Sequence, residues 1–221
     1  MQVEQTKFKG HDHERDSSTP IRPDFLRIGK IIPEGSTVLD LGCSDGDLLD
    51  YLIHEKKVDG QGVELSIDGV NACIDKGVSV IQGDIIETLE NVTSRNVFDY
   101  VVLSQTLHEL QKPDEIILNA LAIGKHVIVS FFNLAFFKYR LNLLFKGTFP
   151  KDFPYSWKNT YASILTLEDF KHYCNKFGID IVDQIFLDAR GKQIRNWLAN
   201  WRAQTVVLVL RKKDGAPDRI E

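Results

Sequence analysis

At 221 residues, 43% of them hydrophobic, the chain suits one domain of ordinary size with a real core. A formal net charge of −4 argues against the broad basic footprint of a nucleic-acid-binding protein. Three widely spaced cysteines, Cys43, Cys73 and Cys174, with no CxxC pair, exclude a disulfide scaffold and a zinc knuckle, and no metal site is expected.

The amino-terminal stretch MQVEQTKFKGHDHERDSS is polar and lacks the apolar core of a signal peptide. Residues 1–19 are read as a loose tail, 20–212 as one domain and 213–221 as a second tail. No uncharged apolar run approaches the roughly 20 residues that span a bilayer, so a cytoplasmic protein without a membrane partner is expected. Pro23 opens DFLRIGKII, whose apolar residues cover one side of a short helix. Strand STVLDLG then leads to helix DGDLLDYLIHEKK, and strand VDGQGVEL to helix SIDGVNACIDKG. Strand VSVIQGD is followed by what reads as a short polar connection. Strand FDYVVLSQ, helix PDEIILNALAIG and strand HVIVSFFN complete the alternation. Near-continuous Val, Ile and Leu at 100–103 and 127–129 mark strands buried on both faces, and helical crossovers make such a sheet parallel. Residues 134–160 are aromatic and basic and break the pattern as an insertion. Order returns with helix TLEDFKHYCNKFG, N-capped by Thr166, and two further strands, IDIVDQIFLD and QTVVLVLR.

Residues 38–46, VLDLGCSDG, carry the most chemistry. An apolar strand runs into a glycine turn that opens a helix, the way an open α/β sheet holds a nucleoside-bearing cofactor. Gly42 permits the tight turn and Gly46 relieves crowding where the helix begins. A dinucleotide turn needs glycine near position 44 to admit a pyrophosphate; Cys43 and Ser44 fit that poorly, which disfavours an NAD-dependent oxidoreductase. S-adenosylmethionine has no pyrophosphate, so a less phosphate-adapted loop suffices. Asp40 can meet its ammonium. Glu64, 22 residues after Gly42, can accept from both ribose hydroxyls. Leu65 follows it in the site, Asp84 can accept from the adenine amino group, and the Ile85 amide can face a ring nitrogen. Ser104 and the following QTLHE wall the reactive end, where His108 and Glu109 are the weak candidates for a general base. A sulfonium methyl donor needs mainly alignment with its acceptor, so no catalytic residue is obligatory.

RPDFLRIGKIIPEGSTVLDLGCSDGDLLDYL, KGVSVIQGDI, FDYVVLSQTLHEL, HVIVSFFNLAFFKYRLNLLFKG, LDARGKQI and NWRAQTVVLVLR together resemble the methionine-biosynthesis protein MetW family, within the class I methyltransferase-like superfamily. The likeness spans residues 22 to 212. It implies a Rossmann-like α/β fold: a mostly parallel seven-stranded sheet, helices on both faces and a terminal antiparallel hairpin. It implies S-adenosylmethionine as cofactor and S-adenosylhomocysteine as product, with site roles for Gly42, Ser44, Gly46, Glu64 and Asp84. Ser44 departs from the glycine common in the wider superfamily's turn. The likeness also implies a link to homoserine acylation. The chain is therefore expected to bind S-adenosylmethionine in methionine synthesis and to methylate a small molecule. The alternative is a non-catalytic partner or regulator of homoserine O-acyltransferase, docked through the aromatic 134–160 segment.

Overall fold

The computed structural model describes residues 21–92, 97–148 and 165–213. The expected tail at 1–19, residues 149–160 of the aromatic segment and residues 214–221 lie outside the described residues. Eight strands, β1 Thr37–Leu41, β2 Asp59–Glu64, β3 Ser79–Gln82, β4 Phe98–Ser104, β5 Gly124–Phe132, β6 Ile179–Leu187, β7 Gln193–Ile194 and β8 Thr205–Lys212, form one sheet. Their spatial order is β3-β2-β1-β4-β5-β8-β6-β7. The first five are mutually parallel, and β8 inserts antiparallel between β5 and β6.

The strand pattern reverses between β1 and β4, which leaves a crevice at the carboxyl edge of the sheet. Side chains alternate between two cores. Leu39, Leu41, Val101, Leu103, Val127 and Val129 point to one face, whereas Val38, Val102 and Ile128 point to the other. Helices α4 Ile85–Asn91, α5 Pro113–Ile123 and α7 Leu167–Lys176 cover the first face. Helices α1 Pro23–Ile31, α2 Asp47–Lys56 and α3 Ile67–Asp75 cover the second.

Two local expectations are corrected. The connection after β3 is not merely polar: it is α4, capped by the Asp84 carboxylate, which accepts from the amides of Ile86 at 2.7 Å and Glu87 at 3.4 Å. Ile85 and Leu89, one turn apart, bury its inner side. The sheet also gains an eighth strand, β7, of only two residues. Asp188 creates it: its carboxylate accepts from the amides of Arg190 and Lys192, and Gly191, at φ +71°, turns the chain back beside β6. Two residues are too few to show a strand's alternation in sequence.

Beyond β5, Asn133 ties three segments together. Fully buried, it donates to the carbonyls of Asn200 and Ala203, each at 3.0 Å. Its oxygen accepts from the amides of Ala135 and Leu167. It thereby fixes the start of α7, the end of α8 Ala199–Arg202 and the approach to α6 Phe137–Lys146. Removing it strands buried backbone groups that cost about 1–3 kcal/mol each. Asn133→Ala is expected to lose roughly 3 kcal/mol or more in urea unfolding, well beyond the cost of an exposed substitution such as Lys30→Ala.

Candidate functional site

The turn from β1 into α2 sits where the strand order reverses. The amides of Gly42 and Cys43 both donate to the Val63 carbonyl, at 2.8 and 3.1 Å, fastening the turn to β2. Gly42 has φ +76°, and a Cβ there would lie 2.5 Å from the Thr106 methyl carbon, so this position takes only glycine. Gly46, at φ +78°, is the N-cap of α2 and has no side chain to cap that helix's first amides. Ser44 also has a positive φ, +52°. Glycine would hold this conformation without strain; here a serine holds it.

Glu64 explains how. One carboxylate oxygen accepts from the Ser44 amide at 2.9 Å and the other from the Ser66 amide at 2.7 Å. A single side chain thus braces the loops after β1 and after β2. An ionised carboxylate has about four acceptor positions, so each oxygen keeps room for another donor. Gly69 of α3 is part of the same contact: a Cβ there would come within 2.8 Å of Glu64 Cγ and of the Ser44 carbonyl oxygen.

Asp40, at the end of β1, is 2% exposed, and its Oδ1 has no hydrogen-bond partner. Burial pushes its pKa up to about 7, nearby Arg22 opposes the rise, and Glu64 and Asp24 add to it. It borders a cavity of about 230 Å³ also lined by Arg22, Phe25, Gly42, Ser44 and Ser104. Cys43 belongs to the same wall.

Sequence reasoning missed Arg22 and Asp24. Arg22 pairs with buried Asp24 through two bonds, of 3.2 and 2.6 Å, and stands 4.2 Å above the Phe25 ring. Asp24 in turn accepts from the hydroxyls of Ser104 and Ser130, at 3.2 and 3.1 Å. This network locks α1 onto the ends of β4 and β5 and holds a guanidinium at the cavity rim. The only sequence signal was the acid two residues after Arg22 at a proline-started helix.

The other expected residues fall around this centre. Leu65 is 67% exposed just after β2, leaving an apolar side chain free for a ligand. Ile85 is buried beneath α4, and Asp84 spends one oxygen on its helix cap. Ser104 lies on the cavity wall. His108 and Glu109 are in the single 3-10 turn Leu107–Glu109 after β4, with Nε2 of His108 3.6 Å from the Glu109 carboxylate. Neither lines the cavity. Burial, then Arg22, push the His108 pKa down to about 4, so the ring is neutral at physiological pH and a weak proton acceptor.

The family model of methionine biosynthesis protein MetW matches residues 22–210. The chain belongs to the MetW family. It is 29% identical over 212 residues to the bifunctional methionine biosynthesis protein MetXA/MetW of Rhodopirellula baltica. That match covers 90% of this chain and 34% of the relative, so the chain spans about a third of the curated relative's length. Among solved structures, a SAM-dependent methyltransferase of Thermotoga maritima superposes with a TM-score of 0.63 at 19% identity, covering 86% of this chain and 88% of that one. A SAM-dependent methyltransferase of Archaeoglobus fulgidus gives 0.60 at 18% identity, covering 86% and 93%. These likenesses establish the class I methyltransferase-like fold for this MetW chain. Among the described residues no helix is long and apolar enough to cross a membrane.

Asp40 yields a test that needs no ligand. Its pKa is about 7 folded against 3.8 for the ordinary carboxyl, so the folded state binds the proton more tightly. Its contribution therefore makes stability fall as pH rises from about 4 to 7. Asp40→Asn is expected to stabilise the free protein by roughly 2–4 kcal/mol at pH 8 and by much less at pH 5, measured by urea unfolding at both.

Proposed function

We propose that this chain binds S-adenosylmethionine in the crevice above β1 and β2, serving methionine synthesis, and methylates a small molecule. The observation that carries the reading is Asp40: a buried carboxylate with an unpartnered oxygen, on the wall of a cavity at the strand-order reversal. Such a group is costly unless a ligand supplies its partner. An ammonium does so, and the Arg22 guanidinium and the first amides of α2 suit a carboxylate, so the amino-acid end of the cofactor fits this cradle. On this reading Glu64, whose oxygens keep free acceptor positions, takes the ribose hydroxyls, and Leu65, Asp84 and Ile85 form the adenine side. The cofactor supplies an activated methyl group on a sulfonium. The chain's part is to hold and align, with Ser104 at the reactive end; neutral His108 is available as no more than a weak base.

A second reading has its own support. Leu144 and Phe145 of α6 are 74% and 76% exposed, and Trp197 and Leu198 near α8 are also uncovered. Exposed large apolar groups of this kind suit a protein partner. In the Rhodopirellula relative a MetW segment shares one chain with MetXA. On this reading a homoserine O-acyltransferase docks against α6, and cofactor occupancy regulates the complex without turnover.

Titration calorimetry with S-adenosylhomocysteine tests the shared claim. Saturable binding by the wild type is expected, weakened at least tenfold in Glu64→Gln, since a charge-assisted bond is worth about 1.5–3 kcal/mol. Absence of binding by the folded wild type would sink the cofactor site. Hydrogen exchange separates the two readings. An acyltransferase partner is expected to protect Leu141–Phe145 more strongly than S-adenosylhomocysteine does; the reverse order favours a substrate-facing wall.

A further inference from the structure

Cys43 and Cys73 meet beneath the glycine turn, sulfur to sulfur at 3.7 Å, both free and both buried. Cys43 is the second residue of the turn, and Cys73 lies on the inner face of α3. The Cys73 thiol donates to the Ser44 carbonyl at 3.4 Å. Gly46 rests on the same sulfur, where a Cβ would come within 2.9 Å. A Cβ on Gly62 would likewise overlap the Cys43 sulfur. The thiol pair therefore touches the turn at Cys43, Ser44 and Gly46 within tight packing. The third cysteine, Cys174, is buried in the core on the opposite face of the sheet. The Cys43 thiol, bonded to the Cys73 sulfur, holds Cys73 below the ordinary thiol range and is itself pushed up.

We propose that Cys43 and Cys73 are a dithiol modification site: a hydroperoxide converts them to an intramolecular disulfide that closes the turn to its ligand. The effect on ligand rests on the cofactor reading above. The balance is simple. One sulfur attacks hydrogen peroxide; the O–O bond breaks, an S–O bond forms and one water leaves. The second sulfur then attacks the resulting sulfenic acid; the S–O bond breaks, the S–S bond forms and a second water leaves. Two thiols lose two electrons and two protons, and one peroxide becomes two waters. Either sulfur can react first, because the other is already in contact. Cys43 belongs to the cavity wall, which gives a water-sized oxidant an approach that bound ligand would obstruct.

Disulfide formation draws the sulfurs to about 2.05 Å. The shift falls on a turn whose glycines leave no slack, and it removes the S–H donor from the Ser44 carbonyl. The same turn is braced by Glu64 through the Ser44 amide, so the strain reaches both loops of the site.

The test oxidises the reduced full chain with hydrogen peroxide, with and without saturating S-adenosylhomocysteine. Peptide mapping, calorimetry and hydrogen exchange of residues 42–50 follow, before and after reduction by dithiothreitol. Expected are a Cys43–Cys73 linked peptide, a Kd for S-adenosylhomocysteine raised at least tenfold, altered exchange in the turn, and recovery on reduction. Bound S-adenosylhomocysteine slows the linkage. Cys73→Ser, which keeps a donor for the Ser44 carbonyl, loses the peroxide response; Cys73→Ala replaces it if the serine variant does not fold. No linked peptide, or linkage with unchanged turn exchange, overturns the proposal. If the reduced protein binds no S-adenosylhomocysteine, the cofactor reading falls, while the linked peptide and turn exchange still decide the dithiol site.

Discussion

The site depends on the two bonds of Glu64. Loops after adjacent parallel strands have no reason to share a geometry, because the ladder ends at the strand termini. A carboxylate at the end of β2 that accepts one amide from each loop imposes one. It also makes Ser44 tolerable: the positive φ that usually calls for glycine is held by a charge-assisted bond to its own amide. The close approach of Gly69 follows, since α3 must pass against the Glu64 stem. The crevice is thus built by backbone that one acid positions, with its remaining lone pairs directed to whatever enters.

Asp40 has the opposite character. It braces nothing through Oδ1 and lowers the stability of the free protein when ionised. Arg22 offsets part of that cost but is itself engaged by Asp24. A fold optimised for stability alone would carry an apolar residue or an amide at this strand end. Retention of an uncompensated acid beside a cavity makes sense if binding completes it, and this is why the empty-handed oxygen says more about function than the glycine turn does.

The sequence made the alternating architecture legible because its strands are buried on both faces: β4 and β5 read as near-continuous Val, Ile and Leu, and helices α5 and α7 are announced by Pro113 at a first turn and Thr166 at an N-cap. The three acids at 40, 64 and 84 were legible too, since each stands at or near the end of a strand. Their division of labour was not. Asp84 looked like a ligand group and is partly a helix cap, because α4 has only seven residues and two buried contacts, too little period to register. Arg22 and Asp24 were invisible for a different reason: their partners, Ser104 and Ser130, are 80 or more residues away. Pairing at that distance is a product of topology, and only the fold supplies it. The 134–160 segment reads as an insertion, but the anchor of its described part is Asn133, which the sequence shows only as the last residue of strand HVIVSFFN.

Topology also sets which elements share the edge of the sheet that carries the cavity. β5 runs parallel to β1, so the chain leaving it toward Asn133 and α6 emerges at the carboxyl edge, the edge that carries Asp40 and Glu64. The turn bearing His108 emerges there as well, and the Gln105 amide donates to the Ser130 carbonyl of β5. Ser130 and Ser104 share the Asp24 carboxylate that also holds Arg22. A short chain of hydrogen bonds, buried at Asp24 and Ser130, therefore runs from the cavity rim to the strand that precedes α6. The catalytic and regulatory readings make the same demand on these residues: a buried Asp24 that ties α1 to β4 and β5.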